Sequence, residues 1–309
     1  MTLSVFIDGA AGTTGLEIRE RLASRGDVAL VAIDESRRKD AAARAQALND
    51  ADVVILCLPD DAAREAVAMI ANDRTRVIDA STAHRVAPDW TYGLAELEPD
   101  QADRIAAARL ITNPGCYPTG FLALVRPLVR AGLLAADTPL SVNAASGYSG
   151  GGKAMIAEFE GGEVATAFRP YALALAHKHV GEMTRHAGLT VAPIFQPAVA
   201  RTYRGMVVQV PLHLSQLARA ATLTDLSEVL AAAYDGERVV RFAHEAATVV
   251  KIEDDAGTDR MTLRVVGNQA SGQALLIATL DNLGKGAAGA AVQNLNIMAG
   301  FDPVAGLTL

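Results

Sequence analysis

Apolar and polar positions follow two regimes along this chain. Residues 3–7 form a short apolar run that reads as a buried strand, 9–15 a glycine turn, and 16–24 an amphipathic helix. Strand-like 28–33 comes next, then an Ala-rich helical pattern over 40–48, a strand at 53–57, a helix over 61–71 and a strand at 77–79. Strands that alternate with helices predict a parallel sheet with right-handed crossovers. Beyond residue 116 the pattern changes. Segments 140–144, 191–194, 204–212, 248–252, 261–266 and 273–280 read as longer strands, several alternating with period two, which predicts a second domain with a mixed or antiparallel sheet. The Ala-rich helical pattern of 285–298 has no strand after it and is expected to pack back on the first domain. No internal repeat or low-complexity tract interrupts the order.

Composition agrees with an α/β chain. Half of the 309 residues are hydrophobic and only 5% aromatic, so the core should be built from Ala, Val, Leu and Ile. The net charge of −7 leaves no general basic surface for nucleic acid. Two cysteines, Cys57 and Cys116, cannot make a disulfide framework, and there is no basic segment followed by an apolar one at the start. A cytoplasmic protein is the expectation, and no apolar stretch approaches the length of about 18 residues that a membrane span needs.

The glycine turn follows the first strand and opens the first helix. In that context Gly9, Gly12 and Gly15 let backbone N–H groups approach a pyrophosphate, which points to a dinucleotide; the plainer alternative is a tight strand-to-helix turn. Asp34 lies near the end of the second strand, where a carboxylate binds the ribose hydroxyls of NAD. Ser36, Arg37 and Arg38 follow at once, and a hydroxyl with two guanidinium groups suits a 2′-phosphate, so NADP is favoured over NAD. A solvated loop is the alternative for the two arginines.

A second glycine segment, 147–153, matches the first seven positions of a nucleotide phosphate loop. Ala154 then stands where a Ser or Thr would hold Mg²⁺, so a triphosphatase reading loses its metal ligand. A glycine loop closing over cofactor or substrate, with Ser146 and Ser149 as donors, fits better than that reading.

The segment Asn113-Pro114-Gly115-Cys116-Tyr117-Pro118 sets a cysteine on a tight turn at the first turn of a helix. The free N–H groups and dipole there favour the thiolate, which an ordinary buried cysteine lacks. Coupled to a hydride donor, such a thiolate suits attack on an activated acyl carbon and reduction of the resulting thioester. The acid/base partner is sought in His177-Lys178-His179, since imidazole exchanges protons near neutrality. No second Cys/His cluster has metal spacing, so no metal is expected. His84 stands in Asp79-Ala80-Ser81-Thr82-Ala83-His84-Arg85, after a parallel strand and facing the same crevice. Ser81 and Arg85 there could bind an acidic substrate; a helix cap and a surface charge are the alternative.

With these residues in view, the chain resembles the N-acetyl-γ-glutamyl-phosphate reductase family in its shorter type, and more distantly aspartate-semialdehyde dehydrogenase. The landmarks are GAAGTTG at 9–15, VIDASTAHRV at 77–86, YGLAEL at 92–97, NPGCYPTG at 113–120, Tyr171 with HKHVGEM at 177–183, PAVARTYRGM at 197–206 and DNLGKGAAGAAVQNLN at 281–296. The resemblance implies NADPH-dependent reduction of N-acetyl-L-glutamyl 5-phosphate to the 5-semialdehyde, a step of arginine biosynthesis. Cys116 is then the acylated nucleophile and His177 the acid/base that protonates the departing hemithioacetal system. Tyr171, His179, Ser81, Arg85 and Lys153 are assigned to substrate, and Gly9, Gly12, Thr13, Thr14, Gly15, Ser36, Arg37, Arg38, Ser146, Gly147 and Asn282 to NADP(H). Ala95 and Gly181 stand where the family strings carry proline, which bears on loop rigidity.

The implied fold is a Rossmann dinucleotide-binding domain over 1–118 and 285–309 with an α+β catalytic and oligomerisation domain over 119–284, its sheet mixed and largely antiparallel. The implied partners are a small acyl phosphate and further copies of the chain, as a homodimer or homotetramer. Aspartate-semialdehyde dehydrogenase or another acyl-phosphate reductase is the nearest alternative. A dinucleotide-binding regulator without catalysis is an alternative of another class.

Overall fold

The computed structural model describes residues 2–37, 40–162, 166–245 and 247–309. The chain forms two compact units, Met1–Pro114 with Ala287–Leu307, and Gly115–Gly286 with Thr308–Leu309. The passage between them falls at Pro114, before the nucleophile turn has ended, rather than at 118.

In the first unit β1 (Leu3–Asp8), α1 (Thr13–Leu22), β2 (Val28–Val31), α2 (Ala41–Asp50), β3 (Val53–Leu56), α3 (Asp60–Ala68), β4 (Arg76–Asp79), β5 (Thr91–Tyr92), α4 (Gln101–Ala107) and β6 (Leu110–Thr112) follow in turn. The six strands form one parallel sheet in the order β2-β1-β3-β4-β6-β5. Successive side chains of a strand go to opposite faces, and here both faces are covered. Val5, Ile7, Ile55 and Ile78 pack with Ile18 and Leu22 of α1 on one face. Phe6, Val54, Leu56 and Val77 meet Ala47, Leu48, Ala63 and Ala66 of α2 and α3 on the other. Each such Leu or Ile contributes about 1.5–3 kcal/mol by leaving water.

The second unit holds α5 (Cys116–Arg130), β7 (Ser141–Gly147), α6 (Gly152–Glu160), β8 (Phe168–Pro170), α7 (His179–Ala187), β9 (Ile194–Ala200), β10 (Met206–His213), α8 (Leu223–Ala233), β11 (Val240–Phe242), β12 (Met261–Asn268) and β13 (Gln273–Leu280). Its strands form a mixed seven-stranded sheet, β11-β12-β13-β10-β7-β9-β8, with two parallel pairs, β7 with β9 and β11 with β12. A π-helical turn, Gly284–Ala288, then carries the chain back to α9 (Gly289–Ala299). Its Ala291, Val292 and Leu295 join the core formed by Val5, Ile7 and Ile18 in the first unit.

Several expected elements moved. Helix α1 begins at Thr13, not at 16, because the glycine turn is complete at Gly12, whose N–H already bonds the Gly9 carbonyl at 2.9 Å. The strand expected at 191–194 lies further on, over Ile194–Ala200, and Val191 is exposed. Parallel pairing with β7 decides this, with Ser141 opposite Ile194. Segment 248–252 is not a strand: Val249 is 73% exposed, and the outer edge of β12 is taken by β11 instead. Elements β5, α4, β6, α6, β8, α7, α8 and β11 went unforeseen, being short or built on small residues without clear periodicity.

Candidate active site

Helix α5 opens on the nucleophile turn. Its N-cap residue Gly115 has no side-chain oxygen to offer, so the first-turn N–H groups at Cys116 and Tyr117 have no cap from that side. The N–H of Gly115 itself is held by the buried carboxylate of Glu182, which accepts it at 2.8 Å. Pro118 sits at the third helical position, where its missing N–H costs nothing. Two glycines let neighbours close in. A Cβ on Gly120 would press on Val208 of β10, and one on Gly286 would stand 2.9 Å from the Cβ of Cys116.

Around Cys116 the second unit gathers Tyr117, Tyr171, His177 and His179. Tyr117 donates to the Ala198 carbonyl at 3.0 Å, and the Tyr171 hydroxyl lies 3.4 Å from that of Tyr117. The His177 and His179 rings are 4.6 Å apart, and the His177 ring meets Tyr171 edge-on at 5.7 Å. Nδ1 of His177 accepts the backbone N–H of His179 at 3.1 Å, which orients the ring and fixes the tautomer, so the proton of a neutral ring is on Nε2. Burial, followed by the charge of Tyr171 and then that of Cys116, holds the Tyr117 phenol well above its ordinary value, with a bond from Ser146 working the other way. Burial likewise pushes Tyr171 up to about 12, so both stay hydroxyl donors through the neutral range.

The loop carrying these groups is strained. Ala172 and Leu175, between Tyr171 and His177, have φ of 53° and 57°, a left-handed region that side chains with a Cβ resist. Ala172→Gly should therefore stabilise the protein by about 1 kcal/mol, read as a higher Tm with KM unchanged; an unchanged or lower Tm would show that the strain is not borne there. Gly181, where the family carries proline, is at the third position of α7, and a Cβ there would meet nothing within 4 Å. Ala95 is buried in the core of the first unit beside Ile78 and Ile105.

The glycine-loop residues have separate duties. Ser146 donates to the Gly147 carbonyl at 3.0 Å, and Gly147 packs so closely on Tyr203 and Arg204 that a Cβ would overlap their backbone. Asn282 donates to Ser149 at 2.8 Å and accepts the Gly205 N–H at 3.0 Å, locking the loop to the start of β10. Lys153 is exposed in the first turn of α6. The segment is a 3₁₀ turn leading into a helix.

In the first unit the glycine turn has the shape a dinucleotide needs. Gly9 has φ of 89°, and a Cβ there would overlap the Cys57 carbonyl oxygen; one on Gly15 would overlap that of Gly9. The N-cap Gly12 supplies no side-chain cap to α1, and the buried Thr13 hydroxyl has no hydrogen-bond partner. Open N–H groups and an orphaned hydroxyl at a helix start fit a pyrophosphate. Further along, Ser36 turns both its N–H and its hydroxyl to Asp34, whose carboxyl is held below the usual range chiefly by that hydroxyl. Among the described residues the Arg37 guanidinium makes a loose, exposed pair with Asp40 at 3.6 Å. Arg38 lies outside the described residues.

Ser81 and Arg85 are employed internally. The Ser81 hydroxyl donates to Asp79 at 2.8 Å and accepts the Ala83 N–H at 3.1 Å, while the buried Arg85 guanidinium donates to the carbonyls of Asn113 and Ala80 at 3.1 Å each. Burial, with the like charge of Asp79 and Asp8 added, pushes the Cys57 thiol up to about 12 and leaves it inert as a nucleophile. Among the described residues no group of His, Cys, Asp and Glu could hold a metal ion, and no helix is long and apolar enough to cross a membrane.

Tyr117 and Glu182 are the site residues the sequence reading missed. Tyr117 adjoins the cysteine, and Glu182 falls one helical turn after His179, a spacing that puts both on one face.

Residues 4–105 match the family described as semialdehyde dehydrogenase, NAD binding domain, and 116–282 that described as semialdehyde dehydrogenase, dimerisation domain. N-acetyl-gamma-glutamyl-phosphate reductase of Rhizobium meliloti (strain 1021) is 51% identical over 307 residues, 96% of this chain and 99% of that protein. The protein of the same name from Brucella ovis is 52% identical over 309 residues, 97% and 100% of the two chains. The chain belongs to the N-acetyl-γ-glutamyl-phosphate reductase family. The fold of this chain is shared with aspartate semialdehyde dehydrogenase II of Vibrio cholerae, at a TM-score of 0.74 and 17% identity, covering 97% of this chain and 98% of that one. The Francisella tularensis aspartate semialdehyde dehydrogenase gives 0.72 at 14%, covering 96% and 100%. In this chain the dimerisation-domain match begins at Cys116 itself.

Proposed function

We propose that the protein reduces N-acetyl-L-glutamyl 5-phosphate to N-acetyl-L-glutamate 5-semialdehyde with release of phosphate, in arginine biosynthesis and with NADPH. The observation that carries this is Cys116 at the first turn of α5 with His177, His179 and Tyr171 gathered in the same unit, in a chain 51% identical to reductases of that name.

NADPH supplies the hydride when bound. Gly9, Gly12, Thr13, Thr14 and Gly15 would hold its pyrophosphate, and Ser36, Arg37 and Arg38 its 2′-phosphate. Arg37 can leave Asp40 at little cost, since exposed pairs contribute only about 0–1 kcal/mol. Ser146, Gly147 and Asn282, on the glycine loop of the second unit and its anchor, would contact the cofactor as well.

The thiolate of Cys116 attacks the acyl carbon, and first-turn N–H groups of α5 stabilise the oxygen on which charge develops. His177 accepts the thiol proton and returns it at the end of the cycle, held in register by the His179 N–H. Tyr171 and His179 orient the acyl chain, Tyr171 as a permanent donor because its proton is held to about pH 12. Lys153, exposed on α6, and Arg85 would offset substrate charge, Arg85 from behind its two carbonyls. Ser81 acts through Asp79.

The protein works in the cytoplasm as a homodimer or homotetramer. Support for assembly comes from the dimerisation-domain match and from Phe168 and Ile194, which leave large apolar surface on neighbouring strands β8 and β9.

The deciding assay follows phosphate-dependent NADPH formation from N-acetylglutamate semialdehyde beside the unacetylated and aspartate semialdehydes. The acetylated substrate should be preferred by at least about a hundredfold in kcat/KM, about 2.7 kcal/mol; equal turnover of aspartate semialdehyde would assign the chain to the other enzyme.

A further inference from the structure

Two consecutive carbonyls of β9 set the tyrosines beside Cys116 in place. Tyr117 follows Cys116 in the first turn of α5, and its hydroxyl reaches across to β9 to donate to the Ala198 carbonyl at 3.0 Å. The Tyr171 backbone N–H donates to the carbonyl next to it, that of Pro197, at 3.1 Å, directly after Pro170 has paired with Ala198. Strand β9 thereby registers the two side chains against each other, and their hydroxyl oxygens meet at 3.4 Å.

Only one direction of bonding is open to that pair. A phenol has a single proton, and Tyr117 has spent its own on Ala198, so between the two hydroxyls the donor is Tyr171. The separation is long beside the usual O–H···O distance of about 2.7–2.8 Å, and the bond is correspondingly weak. A weak bond holds a donor in position without committing it.

The two tyrosines differ in freedom. The Tyr117 ring is buried and held edge-on against Phe195 at 5.1 Å, with the His179 ring at 5.9 Å and that of His177 at 6.2 Å. Tyr171 is only partly buried and begins the loop whose Ala172 and Leu175 have positive φ. Burial keeps both phenols protonated through the neutral range, and the charge of Cys116 works in the same direction on each.

We propose that Tyr117 is a positioning residue that holds the Tyr171 hydroxyl ready as a hydrogen-bond donor to the acyl oxygen at Cys116. When the sulfur bonds the acyl carbon, negative charge builds on that oxygen and makes it a far better acceptor than a neutral phenol. Tyr171 then turns its hydrogen bond from Tyr117 to the acyl oxygen. No proton changes atoms, and the bond returns to Tyr117 when the acyl group leaves. Catalytic hydrogen bonds are often long before substrate arrives and tighten afterwards, as this one would. The assignment rests on the acyl-transfer reading above for the identity of the acyl group, and adds Tyr117, acting through Tyr171, to the first-turn N–H groups of α5.

The test is a double-mutant cycle of Tyr117→Phe, which keeps the ring and its contacts and loses the hydroxyl, with Tyr171→Phe, which loses the donor. In phosphate-dependent oxidation of N-acetylglutamate semialdehyde, kcat should fall about a hundredfold in Tyr171→Phe, the usual worth of one oxyanion donor, and about tenfold in Tyr117→Phe. The double variant should lose no more than Tyr171→Phe alone, about a hundredfold rather than a thousandfold, because Tyr117 has nothing left to position. KM should stay within about twofold throughout, as for a contact made in the transition state. Acylation of Cys116 by 4-nitrophenyl acetate builds the same oxyanion without substrate or cofactor and should show the same pattern. Additive losses would make Tyr117 a brace acting by itself, and a raised KM with kcat intact in Tyr171→Phe would leave Tyr171 a binding group only; either overturns the proposal. Tyr171→Phe, at a partly exposed position, tests the donor even where Tyr117→Phe does not fold, and full kcat there is equally fatal. A wild type inert toward the acetylated semialdehyde, with the pattern intact on the nitrophenyl ester, would remove the substrate assignment and support the role of Tyr117. Loss of the pattern on the ester would remove that role whatever the substrate.

Discussion

Cys116→Ser should abolish reduction of the acyl phosphate, lowering turnover at least about a thousandfold, or some 4 kcal/mol in the barrier. The hydroxyl is nearly isosteric with the thiol, so packing against Gly286 and the hold of Glu182 on the Gly115 N–H persist. What is lost is an anion: the first turn of α5 can favour a thiolate, and it cannot bring a serine alkoxide into the neutral range. NADPH binding should be unchanged, because the glycine turn belongs to the other unit. Fluorescence titration of NADPH beside the steady-state assay checks both halves. A variant that keeps a tenth of the wild-type rate would remove the thioester from the mechanism.

Gly9→Ala should be the most damaging single change in the first unit. It meets two penalties at once, a φ of 89° that alanine resists and a Cβ overlapping the Cys57 carbonyl oxygen, a backbone atom that cannot step aside. The cost should reach about 3 kcal/mol or more, with loss of NADPH binding as the turn opens. At about 2–4 °C per kcal/mol for a domain of this size, Tm should fall by roughly 6–12 °C. Calorimetry with a cofactor titration reads both effects. Gly26→Ala is the matched control, since its added Cβ meets nothing within 4 Å; equal effects of the two would show that the turn geometry is not what matters.

Much of the site was legible in the sequence because it rests on local geometry. Cys116 at a helix start is announced by the Asn-Pro-Gly before it and the apolar run after it, and the structure begins α5 at that residue. Gly9, Gly12 and Gly15 likewise announce a turn that only glycine can make. The histidine pair was legible as a cluster, and the structure adds that the His177 ring accepts the backbone N–H of His179. Phosphate-loop spacing at 147–153 was a true pattern with a false meaning, and Ala154 already exposed it before the structure showed a 3₁₀ turn.

The assignments that shifted concern side chains whose partners come from far along the chain or from a neighbouring strand. Ser81 and Arg85 look available in the sequence, and the fold turns them inward, onto Asp79 and onto Asn113. Segment 248–252 has a strand's composition, and it has no edge to pair with once β11 occupies the side of β12.

The sequence by itself determined the alternation of strands and helices, the two glycine turns, the nucleophile and the family, since each depends on residue type and spacing within a few positions. Tertiary structure alone decided which polar atoms remain unspent. Hydrogen-bond saturation is a property of the whole packed arrangement: Glu182 finds the Gly115 N–H 67 residues away, and Asn294 of α9 finds Asn113 across 181. A buried polar group takes whatever partner the fold brings, and no local pattern records which one that will be.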